Sequence, residues 1–337
     1  MHLEGTVLQG PSFEPVNGVV YIENGKITDI EETPVDSDDI ILPAFVNGHT
    51  HIGDSIAKEA GRGLTLEELV APPDGLKHQL LDEASRENIV SEMGKTLKLM
   101  IETGTASFIE FREGGVSGVS AIKEAAAGLD IEPFILGREE IDVLDVADGF
   151  GASGAEDADF TEARQKTREK NKFFAIHAGE RTSADINPAI DLDPDLLVHM
   201  VQAEDIHLDR VEDNDIPIAV CPRSNLTTNA GLPPIEKLME RTTVALGTDN
   251  VMLNNPSMYR EMEFVSKLYD ISAPDILYMA TRAGAKILDA NYGIIDTGYD
   301  AKVQILDGGS NNLSSYTDPI RAVVRRATHS DVKEVHF

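Results

Sequence analysis

From about residue 41 to residue 288, short apolar runs of β type recur, and each is followed by a stretch of helical character. This alternation restricts the fold more than any other feature, because parallel strands need a crossover of a dozen or more residues, usually a helix. The runs are residues 41–46, 107–111, 131–136, 173–176, 196–198, 217–220 and 244–246. Residues 86–102, 161–170 and 258–269 read as helices. An eighth strand is expected near residues 143–147, where aspartates interrupt the pattern. Eight such units over this length fit an α/β fold of the (β/α)8 TIM-barrel type, which typically takes ~250 residues. A doubly wound sheet gives the same local pattern, so periodicity alone does not choose between them.

The two ends of the chain read differently. Val16 to Ile22 and Ile27 to Ile30 flank the turn Glu23-Asn24-Gly25-Lys26, and Asn-Gly between such runs signals a hairpin. Further β-type runs occur at 301–306, 322–325 and 332–335. Sheet-forming ends around a barrel-length middle imply a small β-sandwich domain formed by both termini. On this reading residues 1–42 and 291–337 make the composite domain, and residues 43–290 make the barrel.

The 337 residues carry 29 Lys+Arg against 59 Asp+Glu, a net charge of −30. Phosphate recognition needs a cationic surface, so the charge argues against a nucleic-acid partner. No apolar run approaches the ~20 residues that span a bilayer, and Met1-His2-Leu3-Glu4 lacks the start of a signal peptide. The single cysteine, Cys221, cannot form an internal disulfide. A cytoplasmic protein with a small-molecule substrate is expected. Such a surface repels itself at low ionic strength and is screened within ~3 Å at molar salt. The composition therefore points to a halophilic source, with an ordinary acidic cytosolic protein as the alternative.

Polar residues at the ends of the apolar runs carry the chemistry. His49 and His51 follow the first run and flank Thr50; in extended backbone, i and i+2 point to one side. His177 ends the run at 173–176, with Glu180 three residues on; His199 ends 196–198, and Asp249 follows 244–246. Three histidines and a carboxylate suit Zn²⁺ or Fe²⁺. At the C-terminal ends of barrel strands they would converge on one mouth.

Read together, Pro43-Ala44-Phe45-Val46-Asn47-Gly48-His49-Thr50-His51, His177-Ala178-Gly179-Glu180, Cys221-Pro222-Arg223-Ser224-Asn225 and Gly247-Thr248-Asp249 resemble the amidohydrolase superfamily. The likeness is to the branch of the triazine chlorohydrolases, cytosine deaminase and the adenosine-type deaminases, and it spans nearly the whole chain. It implies that His49, His51, His177 and Asp249 bind one divalent metal, zinc first and iron as the alternative. It further implies that Glu180 shuttles protons and His199 orients the metal-bound water, with Asp249 as a further proton acceptor. The implied reaction is deamination of an amino-substituted nitrogen heterocycle (purine, pyrimidine or pterin-like) by a metal-bound hydroxide. The alternatives are opening of a cyclic amide or imidazolone, or a scaffold that keeps the fold without the chemistry. A homodimer would also fit the resemblance. Many relatives hold a second metal through a carboxylated lysine on the fourth strand, but no lysine lies between Lys123 and Lys166.

Arg112 and Arg138, each just beyond an expected strand, are candidate partners for a substrate carboxylate or phosphate. Glu110, Ser224 and Asn225 are candidate substrate contacts, Glu110 also a candidate extra ligand. Residues 61–82, with Pro72-Pro73-Asp74-Gly75, could form a short lid. Gly149-Phe150-Gly151-Ala152-Ser153-Gly154 has the G-x-G-x-x-G spacing of a dinucleotide site, but acidic residues on both sides would repel a pyrophosphate. His2, His78, His207, His329 and His336 read as surface residues.

Overall fold

The computed structural model describes residues 1–70 and 74–337, except for the side chain of Leu66. Its chain gathers into two compact units: residues 1–47, 99–107 and 257–337, and residues 48–98 and 108–256. The strands, in chain order, begin with β1 (His2–Gln9), β2 (Glu14–Glu23), β3 (Lys26–Glu32) and β4 (Ile40–Pro43). Next come β5 (Phe45–His51), β6 (Thr105–Arg112), β7 (Glu132–Gly137), β8 (Gly149–Ala152), β9 (Phe173–Ala178) and β10 (Leu196–His199). The series ends with β11 (Ile218–Val220), β12 (Val244–Leu246), β13 (Asp249–Asn250), β14 (Val303–Leu306) and β15 (Val332–His336).

In the first unit, both ends of the chain build one six-stranded sheet, in the order β15-β14-β4-β1-β2-β3. The hairpin between β2 and β3 turns at Asn24 and Gly25, both at positive φ (51° and 75°), as the Asn-Gly signal demands. Val7, Val20, Ile22, Ile27, Ile41, Val303 and Ile305 from five of these strands share one apolar core. Strand β14 pairs antiparallel with β4, which draws the C-terminal segment onto the N-terminal one.

The other sheet has nine strands in the order β12-β11-β10-β9-β8-β7-β6-β5-β13. Strands β12 and β13 are two pieces of one strand, separated by Gly247 and Thr248. The first piece pairs with β11 and the second with β5, both in parallel, so the sheet closes into the (β/α)8 barrel. Strands β5, β6, β8 and β10 to β12 are buried at every residue, as a parallel sheet covered on both faces requires.

Three local expectations change. The run at 41–46 is not one strand: β4 pairs in the terminal sheet and β5 in the barrel, with Ala44 between them. The fourth barrel strand is β8, whereas residues 143–147 fall largely in a 3-10 helix, Ile141–Asp145. The sequence Gly-Phe-Gly-Ala of β8 has little β-propensity, but close approach selects it. A Cβ on Gly149 would lie 2.1 Å from the carbonyl oxygen of Phe173, and one on Gly151 would lie 2.6 Å from the ring of Phe111. The glycine spacing thus belongs to barrel packing. Residues 322–325 lie in the helix Pro319–Arg325, whose Asp318 side chain accepts from the Arg321 N–H with proline in the first turn. That start signal outweighs the β-branched valines.

Candidate metal centre and its surroundings

Strand alternation puts the His49 and His51 rings on one side of β5, with centroids 5.0 Å apart. His177 on β9 lies 4.9 Å from His49 and 5.7 Å from His51. His199, the last residue of β10, lies 5.3 Å from His177. Asp249 opens β13 and sets Oδ1 3.2 Å from His49 Nε2 and 3.7 Å from His51 Nε2. His199 and Asp249 hold φ of 79° and 58°. Left-handed backbone at non-glycine residues costs about 1–2 kcal/mol each, and such strain concentrates at functional sites. Phe111 of β6 packs its ring edgewise on His49 and His177, giving the cluster an apolar wall.

Neighbouring groups fix the orientation of these rings. His177 Nδ1 lies 2.8 Å from the carbonyl oxygen of Ala152, so it carries the proton and Nε2 keeps its lone pair. The Asn225 amide Nδ2 donates to His199 Nδ1 at 3.1 Å and approaches Glu180 Oε1 at 3.5 Å. With the amide donating to Nδ1, the ring proton of His199 sits on Nε2, which lies 3.7 Å from Glu180 Oε2. Ser224 Oγ donates to Asp249 Oδ2 at 2.5 Å. Both ring nitrogens of His49 are buried without a hydrogen-bond partner.

Burial pushes His49 down, His177 well down and His51 down to about 3, so all three are neutral imidazoles at pH 7. Burial also pushes Asp249 up, but the close approach of the His49 ring and the imidazoles of His199 and His51 outweigh this and hold it well below the usual carboxylate range. Glu180 is raised, chiefly by burial, with His199 partly opposing. Three neutral imidazoles, one of them (His49) with neither ring nitrogen partnered, and one ionised carboxylate fit a divalent cation. Ligand atoms of His49, His51 and Asp249 lie within 4.8 Å of one another, as do those of His49, His177 and His199, and of Glu180, His199 and Asp249.

A cavity of about 100 Å³ opens beside the cluster, lined by His51, His177, Glu180, His199 and Asp249, with Lys77 and Arg138 among the further residues. Ser224 and Asn225 reach the cluster as described. Glu110 is fully buried and accepts from Thr50 Oγ1 at 2.8 Å and from the Ile52 N–H. Arg112 is 3% exposed, lies against Gly53 and is not one of the residues that line the cavity. Arg138 sends one guanidinium nitrogen to Glu113 at 3.0 Å. Cys221 is buried. His207 is buried as well, and its Nδ1 accepts the Glu204 N–H at the start of a helix. The surface expected for His207 is corrected by this capping role. Of the expected lid, Pro72 and Pro73 lie outside the described residues.

Two residues near the cluster carry no signal in the sequence reading. Glu113, one residue past β6, sets Oε1 2.9 Å from His51 Nδ1. Lys77, in the helix Leu76–Glu83, places its ammonium 2.7 Å from Glu113 and 2.9 Å from Asp54. An acid beside an arginine and a lysine after a proline-rich turn look like surface residues until the chain is folded.

The Amidohydrolase family matches residues 40–335. An uncharacterized protein of Methanocaldococcus jannaschii is 36% identical, over 98% of this chain and 96% of its own. The 5'-deoxyadenosine deaminase of Methanococcoides burtonii is 27% identical, over 94% of this chain and 85% of its own. Among solved structures, a mutant of the atrazine chlorohydrolase TrzN from Arthrobacter aurescens, complexed with zinc and atraton, shares the fold. Its TM-score is 0.85 at 17% identity, covering 99% of this chain and 93% of the other. With a barrel closed through a split last strand and a family match over most of its length, the chain belongs to the amidohydrolase family and is a hydrolase acting on carbon–nitrogen bonds.

Proposed function

We propose that the protein is a metal-dependent aminohydrolase that removes the amino group of a nitrogen heterocycle, a purine, pyrimidine or pterin-like ring. One observation carries the reading. A set of neutral imidazoles with an ionised aspartate shares a single cavity with a carboxyl group raised by burial, which is what hydrolysis at an sp² carbon needs. The deaminase among the relatives supports the same reaction class.

His49, His51, His177 and Asp249 would hold the cation, zinc or alternatively iron. The cation supplies Lewis acidity that brings the pKa of water towards ~7. His199 stays outside the ligand set, because the Asn225 amide occupies its Nδ1 and its Nε2 carries a proton. That N–H is placed to orient the attacking water. In the balanced reaction, water's oxygen bonds to ring carbon, the exocyclic C–N bond breaks, and ammonia leaves. Glu180 holds a proton beside the cavity, gives it to the ring nitrogen as attack proceeds, and takes up the one that water releases. Asp249, fixed by Ser224, takes water's second proton and passes it to the departing amino group, which leaves as ammonia. Arg138 has further guanidinium donors beyond the one on Glu113, and these would meet a carboxylate or phosphate on the substrate.

The test is an ammonia-release screen of amino-substituted bases and nucleosides on zinc-loaded protein. Turnover with ammonia is expected. Hydrolysis without ammonia would replace this reading with ring opening, and a chain that takes up no stoichiometric divalent metal would replace it with a binding protein. In an active preparation, Glu180→Gln should retain its metal and lower kcat at least 100-fold.

A further inference from the structure

Glu113 gathers three donors from three separate segments. His51 Nδ1 from the end of β5 lies 2.9 Å from its Oε1, the Lys77 ammonium from the helix Leu76–Glu83 lies at 2.7 Å, and an Arg138 nitrogen from beyond β7 lies at 3.0 Å. Its exposure is 3%, as is that of Lys77. The Lys77 ammonium also lies 3.2 Å from His51 Nδ1, so two neighbours compete for that nitrogen. Lys77 already donates to Glu113 and is ion-paired with Asp54. The Nδ1 proton of His51 therefore goes to Glu113, and the Nε2 lone pair is left for a ligand in the cavity. Had Lys77 won the competition, the proton would sit on Nε2 and His51 could bind no cation.

We propose that Glu113 is the positioning residue of His51, and that Lys77 and Arg138 hold its carboxylate in place, so that the affinity of the centre for a divalent cation is set through Glu113. The inference rests on the reading of His51 as a ligand. A carboxylate on the far nitrogen of a ligating histidine fixes the tautomer and ring plane, and its loss typically costs 10–100-fold in metal affinity.

The experiment measures zinc affinity by competition with a chromophoric chelator, and the visible spectrum of the Co²⁺-loaded protein, for the parent, Glu113→Gln and Glu113→Asp. Melting of the metal-free proteins runs alongside. Glu113→Gln removes the charge. Glu113→Asp keeps the charge but draws back the one oxygen, Oε1, that His51, Lys77 and Arg138 share. Each variant is expected to bind zinc about 10–100-fold more weakly, with an altered Co²⁺ spectrum. If Glu113→Gln does not fold, Glu113→Asp decides. A lowered melting temperature with parent-like zinc affinity and cobalt spectrum would reduce Glu113 to a structural ion pair and overturn the proposal. A parent that binds no zinc would instead remove the reading of His51 on which it rests.

Discussion

Desolvation decides the protonation of several side chains around the cavity, and Glu110 shows it most simply. Burial raises its carboxyl to about 8, against opposing contributions from Arg112, the Ile52 N–H and Thr50. Such a group is protonated in the folded chain and ionised in the unfolded chain between its two pKa values. Its contribution to stability is therefore fully present below the unfolded value of 4.5 and is lost as pH rises to about 8. Glu110→Gln, which mimics the protonated acid, removes this dependence. Its melting temperature relative to the parent should rise steadily from pH 5 to pH 8.5; a constant difference would mean that Glu110 is ionised in the fold. At the same scale, sequence spacing singled out His49, His51, His177, Glu180, His199 and Asp249 as candidates, because each ends or follows a strand-like run. It did not reveal Glu113 or Lys77, whose partner His51 lies 62 and 26 residues away in the chain, and it offered Asn225 as a substrate contact, whereas its amide meets His199, 26 residues away.

Among the elements, the long helices were the most legible: Arg86–Glu102 and Thr161–Lys170 lie where the pattern placed them. The fourth barrel strand was the least legible, because its residues answer to neighbours and not to propensity. The two glycines of β8 make this testable. Gly149→Ala forces a Cβ against backbone, and overpacking of this kind costs about 1–3 kcal/mol. Gly151→Ala instead meets the Phe111 ring, which packs on His49 and His177. Both variants should melt several degrees lower, and only Gly151→Ala should also change the Co²⁺ spectrum. Equal spectra from the two would show that the ring yields without moving the imidazoles.

At the scale of the whole molecule, the net charge of −30 makes self-repulsion a global cost of folding. The melting temperature is expected to rise from low to molar KCl as the screening length falls from ~30 Å at 0.01 M to ~3 Å. A midpoint indifferent to KCl would end the idea of a halophilic adaptation. No helix among the described residues is long and apolar enough to cross a membrane. Alternating strand and helix signals, β-rich ends and the order of the histidine motifs depend on local composition, so the sequence by itself determined an α/β middle, the terminal sheet and the list of candidate ligands, with the barrel reached through the resemblance those motifs carry. Closure of the barrel through β12 and β13, the tautomers of His177 and His199, and the convergence on Glu113 were decided only by the tertiary structure. A proton's position on a ring depends on which acceptor the fold brings within 3 Å, and nothing local encodes that.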